Sequence, residues 1–362
     1  MKSGLEDVVA AETVLSDVDG ERGQLIVRGV SLDELRTRRF EDVVAMLFDG
    51  FFDGLPSGDG LAAALGEARR RVFAEVGAID AGLLRLSPVE AMRALIARLP
   101  DGDDLDTAFG LLAAPAVFAP AIIRRQRGEQ PVAPDPKLSH AADVLSMLRG
   151  QPARPVEADA LNTYFVTVVD HGLNASTFAG RVVASTQAGL ASAVVAALSA
   201  LKGPLHGGAP GPVLDMLDAV GQPENAPAWI EATLDRGERL MGFGHRVYRV
   251  RDPRADALKS AVAAMAAEGA IEPGRLKLAE AVETAALAAL KRRKPDRRLD
   301  TNVEFYTALL LEALGFPREA FTAVFSMGRT AGWIAHAREQ ALGGRLIRPQ
   351  SLYVGPRPQE AA

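Results

Sequence analysis

The chain predicts an all-α protein with a small β-hairpin at its N-terminus. Three observations carry this expectation. From residue 31 onward apolar residues recur at helical spacing almost throughout. Apolar residues make up 48% of the chain, much of it alanine, while aromatics are only 6%, which favours close helix packing over a β-sandwich. The stretch 8–27 sets β-branched residues around Asp17-Val18-Asp19-Gly20, with Gly23 following, and that is a hairpin pattern.

The helices expected in order are 31–49, 60–76, 88–98, 108–127, 139–149, 157–170, 174–186 and 190–202. They continue with 212–220, 226–236, 254–268, 277–294, 303–314 and 318–342. Asn174 reads as an N-cap, Pro210 and Pro212 suit a first turn, and Asp252-Pro253 reads as an N-cap followed by N1. Thr301 or Asn302 caps the helix that ends at Gly315. The proline-bearing stretches 130–136 and 150–155 mark linkers, and no fixed-period repeat is visible.

At 362 residues, two domains are the prior. The net charge of −5 gives no reason to expect a nucleic-acid partner. With no cysteine, disulfides, thiolate metal sites and cysteine nucleophiles are excluded, which fits a cytoplasmic protein. Residues 1–13 carry early acids and no apolar core, so no signal peptide is expected there. Two apolar runs invite a membrane reading. The run 108–123 contains Pro115 and Pro120 and is short for a span. The run 182–201 reads instead as two buried helices broken near Gly189.

Candidate chemistry gathers at helix breaks. Gly203-Pro204-Leu205-His206-Gly207-Gly208 sets His206 near a helix start, whose positive end favours neutral imidazole, a donor suited to a developing enolate. Taken alone, the segment is equally a glycine-rich connector. Gly242-Phe243-Gly244-His245-Arg246-Val247-Tyr248 is followed by Arg254, a cation in a first turn where the macrodipole opposes it, so a bound anion is expected. Glu304 falls in the first turn of the helix that starts at 303, where the dipole should keep it ionised as a general base. Arg329 shares a helical stripe with Phe325 and Trp333 and needs a partner, either a structural acid or a bound carboxylate. His171 lies in the loop just before Asn174. His140 and His336 have no such context and read as packing or surface histidines.

Together these segments resemble the citrate synthase family. The likeness runs from about Gly4 to Gly355. It includes Gly4-Leu5-Glu6-Asp7-Val8-Val9-Ala10, the hairpin after it, Asp170-His171 with Asn174-Ala175-Ser176-Thr177, Gly203-Pro204-Leu205-His206-Gly207-Gly208, and the glycine motif through Asp252-Pro253-Arg254. It is nearest to the shorter bacterial members, especially those with glutamate where most have aspartate. The resemblance implies a multihelical two-domain fold, with 1–207 and 316–362 forming a large domain and 208–315 a small one that closes over it. It implies condensation of acetyl-CoA with oxaloacetate through an enolate and citryl-CoA. No permanently bound cofactor and no metal are implied, and acetyl-CoA is the co-substrate.

On these residues, His206 would hold the thioester carbonyl, Glu304 would take the methyl proton, and His245 would serve the ketone oxygen of oxaloacetate. His171, Arg254 and Arg329 would bind its carboxylates, and Arg348 would reach the partner subunit's site in a homodimer built on the helices of 174–201. Gly242, Phe243 and Gly244 would approach CoA. Arg292, Arg293, Lys294, Arg297 and Arg298 read first as a solvated basic turn, with CoA phosphates as the alternative. No membrane partner is implied. The departure is Glu304, whose extra methylene moves the carboxylate by roughly an ångström. Three other readings remain at this point: a 2-methylcitrate synthase acting on propionyl-CoA, a hydrolase with His171, His206 and His245 on a metal, and a binding paralogue without turnover.

Overall fold

The computed structural model describes residue 5 and residues 8–207, 210–244, 248, 250–356 and 358. Near the N-terminus β1 (Ser16–Asp19), β2 (Gln24–Val27) and β3 (Val30–Ser31) form one antiparallel sheet in that order. Ser16 pairs with Val27 and Asp19 with Gln24. Asp19 Oδ1 closes the first turn by accepting the N–H groups of Glu21 and Arg22 at 3.0 and 2.9 Å. The third strand goes beyond the hairpin expected. It forms because Arg28 and Gly29 both take positive φ, the pattern of a two-residue hairpin turn.

The helices are α1 (Leu32–Leu35), α2 (Phe40–Phe48), α3 (Asp59–Phe73), α4 (Pro88–Ile96) and α5 (Leu105–Gln126). Next come α6 (His140–Arg149), α7 (Pro155–Val168), α8 (Ala175–Ala184), α9 (Leu190–Leu201) and α10 (Pro210–Val220). The last are α11 (Ala226–Asp235), α12 (Pro253–Ala267), α13 (Pro273–Arg293), α14 (Val303–Ala313) and α15 (Phe321–Gly343). The fold is all-α with a small sheet, as the periodicity predicts.

Three boundaries correct the sequence reading. The helix expected over 31–49 is two, because Asn162 pins the break between them. Its Oδ1 accepts the Phe40 N–H at 2.8 Å and its Nδ2 donates to the Arg38 carbonyl at 3.0 Å. The helix expected from 318 opens as a 3-10 turn at Arg318–Ala320 before α15. The run 108–123 is part of a helix of 22 residues that passes through Pro115 and Pro120. By length and composition α5 could cross a membrane, but 83% of its most apolar stretch is buried inside the fold, so it reads as a core helix. The run 182–201 does break as expected, at Gly189 with φ +96°.

Helix α15 forms the centre of one half, packed by α5, α7, α8 and α9. Its approach to α7 is set by two glycines one turn apart. A Cβ on Gly332 would lie 2.4 Å from the Val169 carbonyl oxygen, and one on Gly328 would lie 2.9 Å from that of Phe165. In the other half α11 packs on α13 and α14 packs on α10 and α12, while α12 and α14 also pack on α7. Helix α7 is therefore where α12, α14 and α15 meet, and these three carry Arg254, Glu304 and Arg329.

Candidate active site

One cavity of about 890 Å³ gathers most of the residues singled out by sequence. His171, His206, Phe243, Gly244, Arg254, Glu304 and Arg329 all line it, together with Asn174, Asn302 and Phe325. Of the remaining candidates, Gly242 is not among the lining residues, though its neighbours Phe243 and Gly244 are. His245 lies outside the described residues. Arg348 lines a different hollow beside Phe178, Arg181 and Glu339. Among the described residues no three His, Asp or Glu side chains come together as a metal site.

The glycine loop is stitched to the start of α14. The Gly244 N–H donates to the Asp300 carbonyl at 2.8 Å, and the Asn302 N–H donates to the Gly242 carbonyl at 2.9 Å. Asn302 is also the helix cap. Its Oδ1 accepts the Glu304 N–H at 3.0 Å while its Nδ2 donates to the Gly244 carbonyl at 2.8 Å. Gly242 takes φ +84°, and a Cβ there would lie 3.0 Å from the Phe305 side chain. Thr301 does not cap the helix. It donates instead to the buried Glu283 carboxylate at 2.7 Å, which Tyr306 Oη and Lys259 Nζ also reach. The base candidate and the loop are thus held as one unit.

Burial governs Glu304. Its pKa rises from 4.5 to about 7, because loss of water outweighs the attraction of Arg254 and Arg329, and Asp252 adds to the rise. This corrects the expectation that the helix dipole keeps the group ionised. A carboxyl poised near neutrality still suits a general base.

Arg254 has the anion its position demands, and the chain supplies it. The Asp252 carboxylate takes Nε at 3.0 Å and Nη2 at 2.9 Å, a bidentate pair, and also accepts the backbone N–H groups of Arg254 and Val303. The dipole-opposed cation therefore has an anion within the chain, Asp252. The guanidinium also stacks 5.7 Å from the Tyr248 ring, whose hydroxyl is 3.1 Å from His171 Nε2.

Arg329 differs. It is 1% exposed and forms no ion pair with a described residue. Its Nε donates to the Val168 carbonyl at 2.5 Å, and its guanidinium sits 5.0 Å over Phe325. Burial first, and Arg254 beside it, lower its pKa to about 10. Asp170 and Glu304 act on it only at a distance, and a desolvated cation with no described carboxylate in direct contact is an arrangement that a bound acid would complete.

His206 follows α9 in a tight turn, its N–H donating to the Gly203 carbonyl at 2.9 Å. Burial and then Arg329 lower its pKa to about 4, so the imidazole is neutral at physiological pH. Neutrality was expected, but from a helix terminus; the causes found are burial and a neighbouring cation. Its Nε2 lies 2.9 Å from Ser176 Oγ.

The loop bearing His171 is fastened to the N-terminal sheet. Ser16 Oγ donates to Asp170 Oδ2 at 2.6 Å and accepts the Gly172 N–H at 2.9 Å. Asp170 also bonds His336 Nε2 at 3.0 Å, and Arg181 donates to His336 Nδ1 at 2.8 Å. His140 is likewise buried, its Nδ1 3.2 Å from Arg69 Nη1. Both are packing histidines and neither is on the surface.

Sequence reasoning missed several participants. Asp252 was named only as a cap. Tyr164 on α7 is 1% exposed, and burial and the Glu304 charge raise its phenol well above the usual range. A tyrosine one turn before Val168 carried no separate signal. The basic turn divides: Arg292 and Arg293 pair with Glu231, while Lys294 and Arg297 line the cavity.

The whole chain matches known proteins. Residues 4–350 match the family described as citrate synthase, C-terminal domain. A citrate synthase of Haloferax volcanii is 37% identical over 98% of this chain and 96% of its own length. A 2-methylcitrate synthase of Mycobacterium tuberculosis is 36% identical over 98% and 91%. Among solved structures, the citrate synthase of Thermoplasma acidophilum, in a ternary complex with carboxymethyl coenzyme A and oxaloacetate, matches with a TM-score of 0.86. It is 28% identical over 100% of this chain and 98% of that one. The fold is that of a condensing enzyme of the transferase type. The chain belongs to the citrate synthase family.

Proposed function

We propose that this protein is a citrate synthase, an acyltransferase that condenses acetyl-CoA with oxaloacetate to give citrate and CoA. The observation that carries the reading is the cavity that brings a carboxyl with a pKa of about 7, a neutral histidine and two buried arginines together. Ionised Glu304 removes a methyl proton from the thioester. Neutral His206 donates a hydrogen bond to the thioester oxygen as the enolate forms, with no charge to be created first. Arg329 and Arg254, with His171, take the carboxylates of the oxo acid. By the family resemblance His245 serves its ketone oxygen. The enolate carbon attacks that ketone to give citryl-CoA, which water then hydrolyses.

The trough of Leu234, Leu240, Leu290 and Leu299 with Lys294 and Arg297 suits an apolar tether ending in phosphates, so acyl-CoA enters along it as co-substrate past Phe243 and Gly244. Residues 208–315 form a small domain that closes over the rest and keeps water out until condensation. The working unit is a cytoplasmic homodimer in which Arg348 crosses to the partner's cavity; its place in a separate hollow, and not among the residues lining this chain's own cavity, supports that reading. No resident cofactor or metal is needed. The relative named 2-methylcitrate synthase supports a second reading in which propionyl-CoA is the donor. One methylene is worth only about 1–3 kcal/mol of discrimination, so a single chain can serve both. Thiol release followed with a disulfide dye tests the proposal, because the chain itself has no cysteine. Release that requires oxaloacetate supports a synthase, and the ratio of rates with the two donors chooses between them. No release with either donor from folded protein refutes both.

A further inference from the structure

Glu283 shares the buried face of α13 with Ala279 and Ala286 and is 6% exposed. An apolar side chain there would pack α13 with no charge to desolvate. The carboxylate instead collects donors from its neighbours. Oε1 accepts the Thr301 hydroxyl at 2.7 Å. Oε2 accepts the Tyr306 hydroxyl at 2.5 Å and Lys259 Nζ at 2.9 Å. Arg251 Nη2 adds its charge 3.8 Å from Oε1. Burial works against the ionised form, but the bonds from Tyr306, Lys259 and Thr301 outweigh it and hold the carboxyl below its usual pKa. Apolar packing is non-directional, whereas hydrogen bonds to both oxygens of one carboxylate fix an orientation.

What they orient is the first turn of α14. Thr301 lies three residues before Glu304 and Tyr306 two after it. The two hydroxyls hold that turn at both ends, each on its own oxygen of Glu283. Thr301 also bridges to Phe243, so the glycine loop is drawn into the same tie. Lys259 stands on α12 five residues beyond Arg254, with its ammonium 5.5 Å from the Tyr306 ring centre. One carboxylate that does not line the cavity therefore joins the helix carrying the base to the helix carrying an arginine of the oxo-acid site. Asp252 makes that junction at a second point, through the Val303 N–H and Arg254.

We propose that Glu283 is a positioning residue: through the Thr301 and Tyr306 hydroxyls and Lys259 it fixes the Glu304 carboxyl relative to Arg254, so that the enolate forms facing the oxo acid. The proposal rests on the reading of Glu304 as the base. A misplacement of about 1 Å in such a group costs about 100-fold in rate.

The test uses the full-length protein and two variants. E283Q keeps the size of the side chain and removes its charge. Because a change in this buried cluster could disturb folding, a double variant, T301V with Y306F, removes only the two hydroxyls and leaves the carboxylate paired with the half-exposed Lys259. The first readout is hydrogen exchange at the Gly244, Asn302 and Glu304 amides, followed by NMR. All three are bonded in the loop and the helix cap. The second is kcat and KM for both substrates. Both variants should speed exchange at these amides at least about tenfold, with the α5 amides unchanged, and lower kcat at least about tenfold. Each KM should stay within about twofold, because a displaced base is felt only in the transition state. Unchanged exchange and kcat in the double variant overturn the proposal, as does a raised KM with kcat unchanged. Faster exchange at the three amides in a protein that condenses neither acyl donor upholds the hold of Glu283 on this turn and refutes the proposed reaction.

Discussion

Replacing Glu304 by glutamine should abolish turnover and stabilise the free protein above neutral pH, and both effects follow from one number. The carboxyl titrates near 4.5 when exposed and near 7 in the native cavity. Between these values the unfolded chain has released the proton and the native state still holds it. Stability therefore falls as pH rises through this window and stays low above it. The shift corresponds to about 3 kcal/mol, an upper figure because the carboxyl borders an open cavity. With about 2.1 cal/mol/K of unfolding entropy per residue, a chain of 362 residues gains about 4 °C in Tm from that amount. Glutamine keeps the side chain's size and cannot ionise. E304Q should therefore match the parent at pH 4.5 and exceed it by up to about 4 °C at pH 8, read by circular dichroism without substrates. In the thiol-release assay kcat should drop by about 10²–10⁴, the usual worth of a general base. In the parent, kcat/KM should rise with pH through about 7 as the base deprotonates. A difference in Tm that is flat with pH, or a variant less stable than the parent at pH 8, would refute the claim that burial governs this carboxyl.

Three further outcomes follow from the packing of the site. R329Q removes a buried cation that has no ion pair among the described residues, so calorimetry should find oxaloacetate binding weakened at least about 100-fold while Tm does not fall. D252N breaks the bidentate hold on Arg254 and should cost about 3–5 kcal/mol in denaturant unfolding, with a higher KM for oxaloacetate. G332A places a methyl group 2.4 Å from the Val169 carbonyl oxygen and should cost about 1–3 kcal/mol, whereas G110A, which meets nothing within 4 Å, should be neutral or stabilising.

How much of this was legible in the sequence depends on what a residue's neighbours in the chain can reveal. Helix existence was legible because periodicity is local. The break at 36–39 was not, because it is fixed by Asn162, more than 120 positions away. The two arginines divide the same way. Sequence position marked both as cations in unfavourable settings, Arg254 by a helix dipole and Arg329 by an apolar stripe. For Arg254 the answer lay two residues upstream in Asp252, visible as a cap but not as a salt-bridge partner, since a cap needs one oxygen and this carboxylate uses both. For Arg329 the described chain offers in direct contact a carbonyl and an aromatic face, with the Asp170 charge acting on it without an ion pair. The same anomaly thus has two resolutions, one internal and one left to a ligand. Glu304 went the opposite way: its first-turn position spoke for ionisation, but a dipole contribution of about 0.3–1 kcal/mol cannot offset desolvation worth several times more. Local sequence can locate a charge that needs explaining. Whether the fold or the substrate supplies the counter-charge is decided by packing between α7, α12, α14 and α15, which no window of sequence contains.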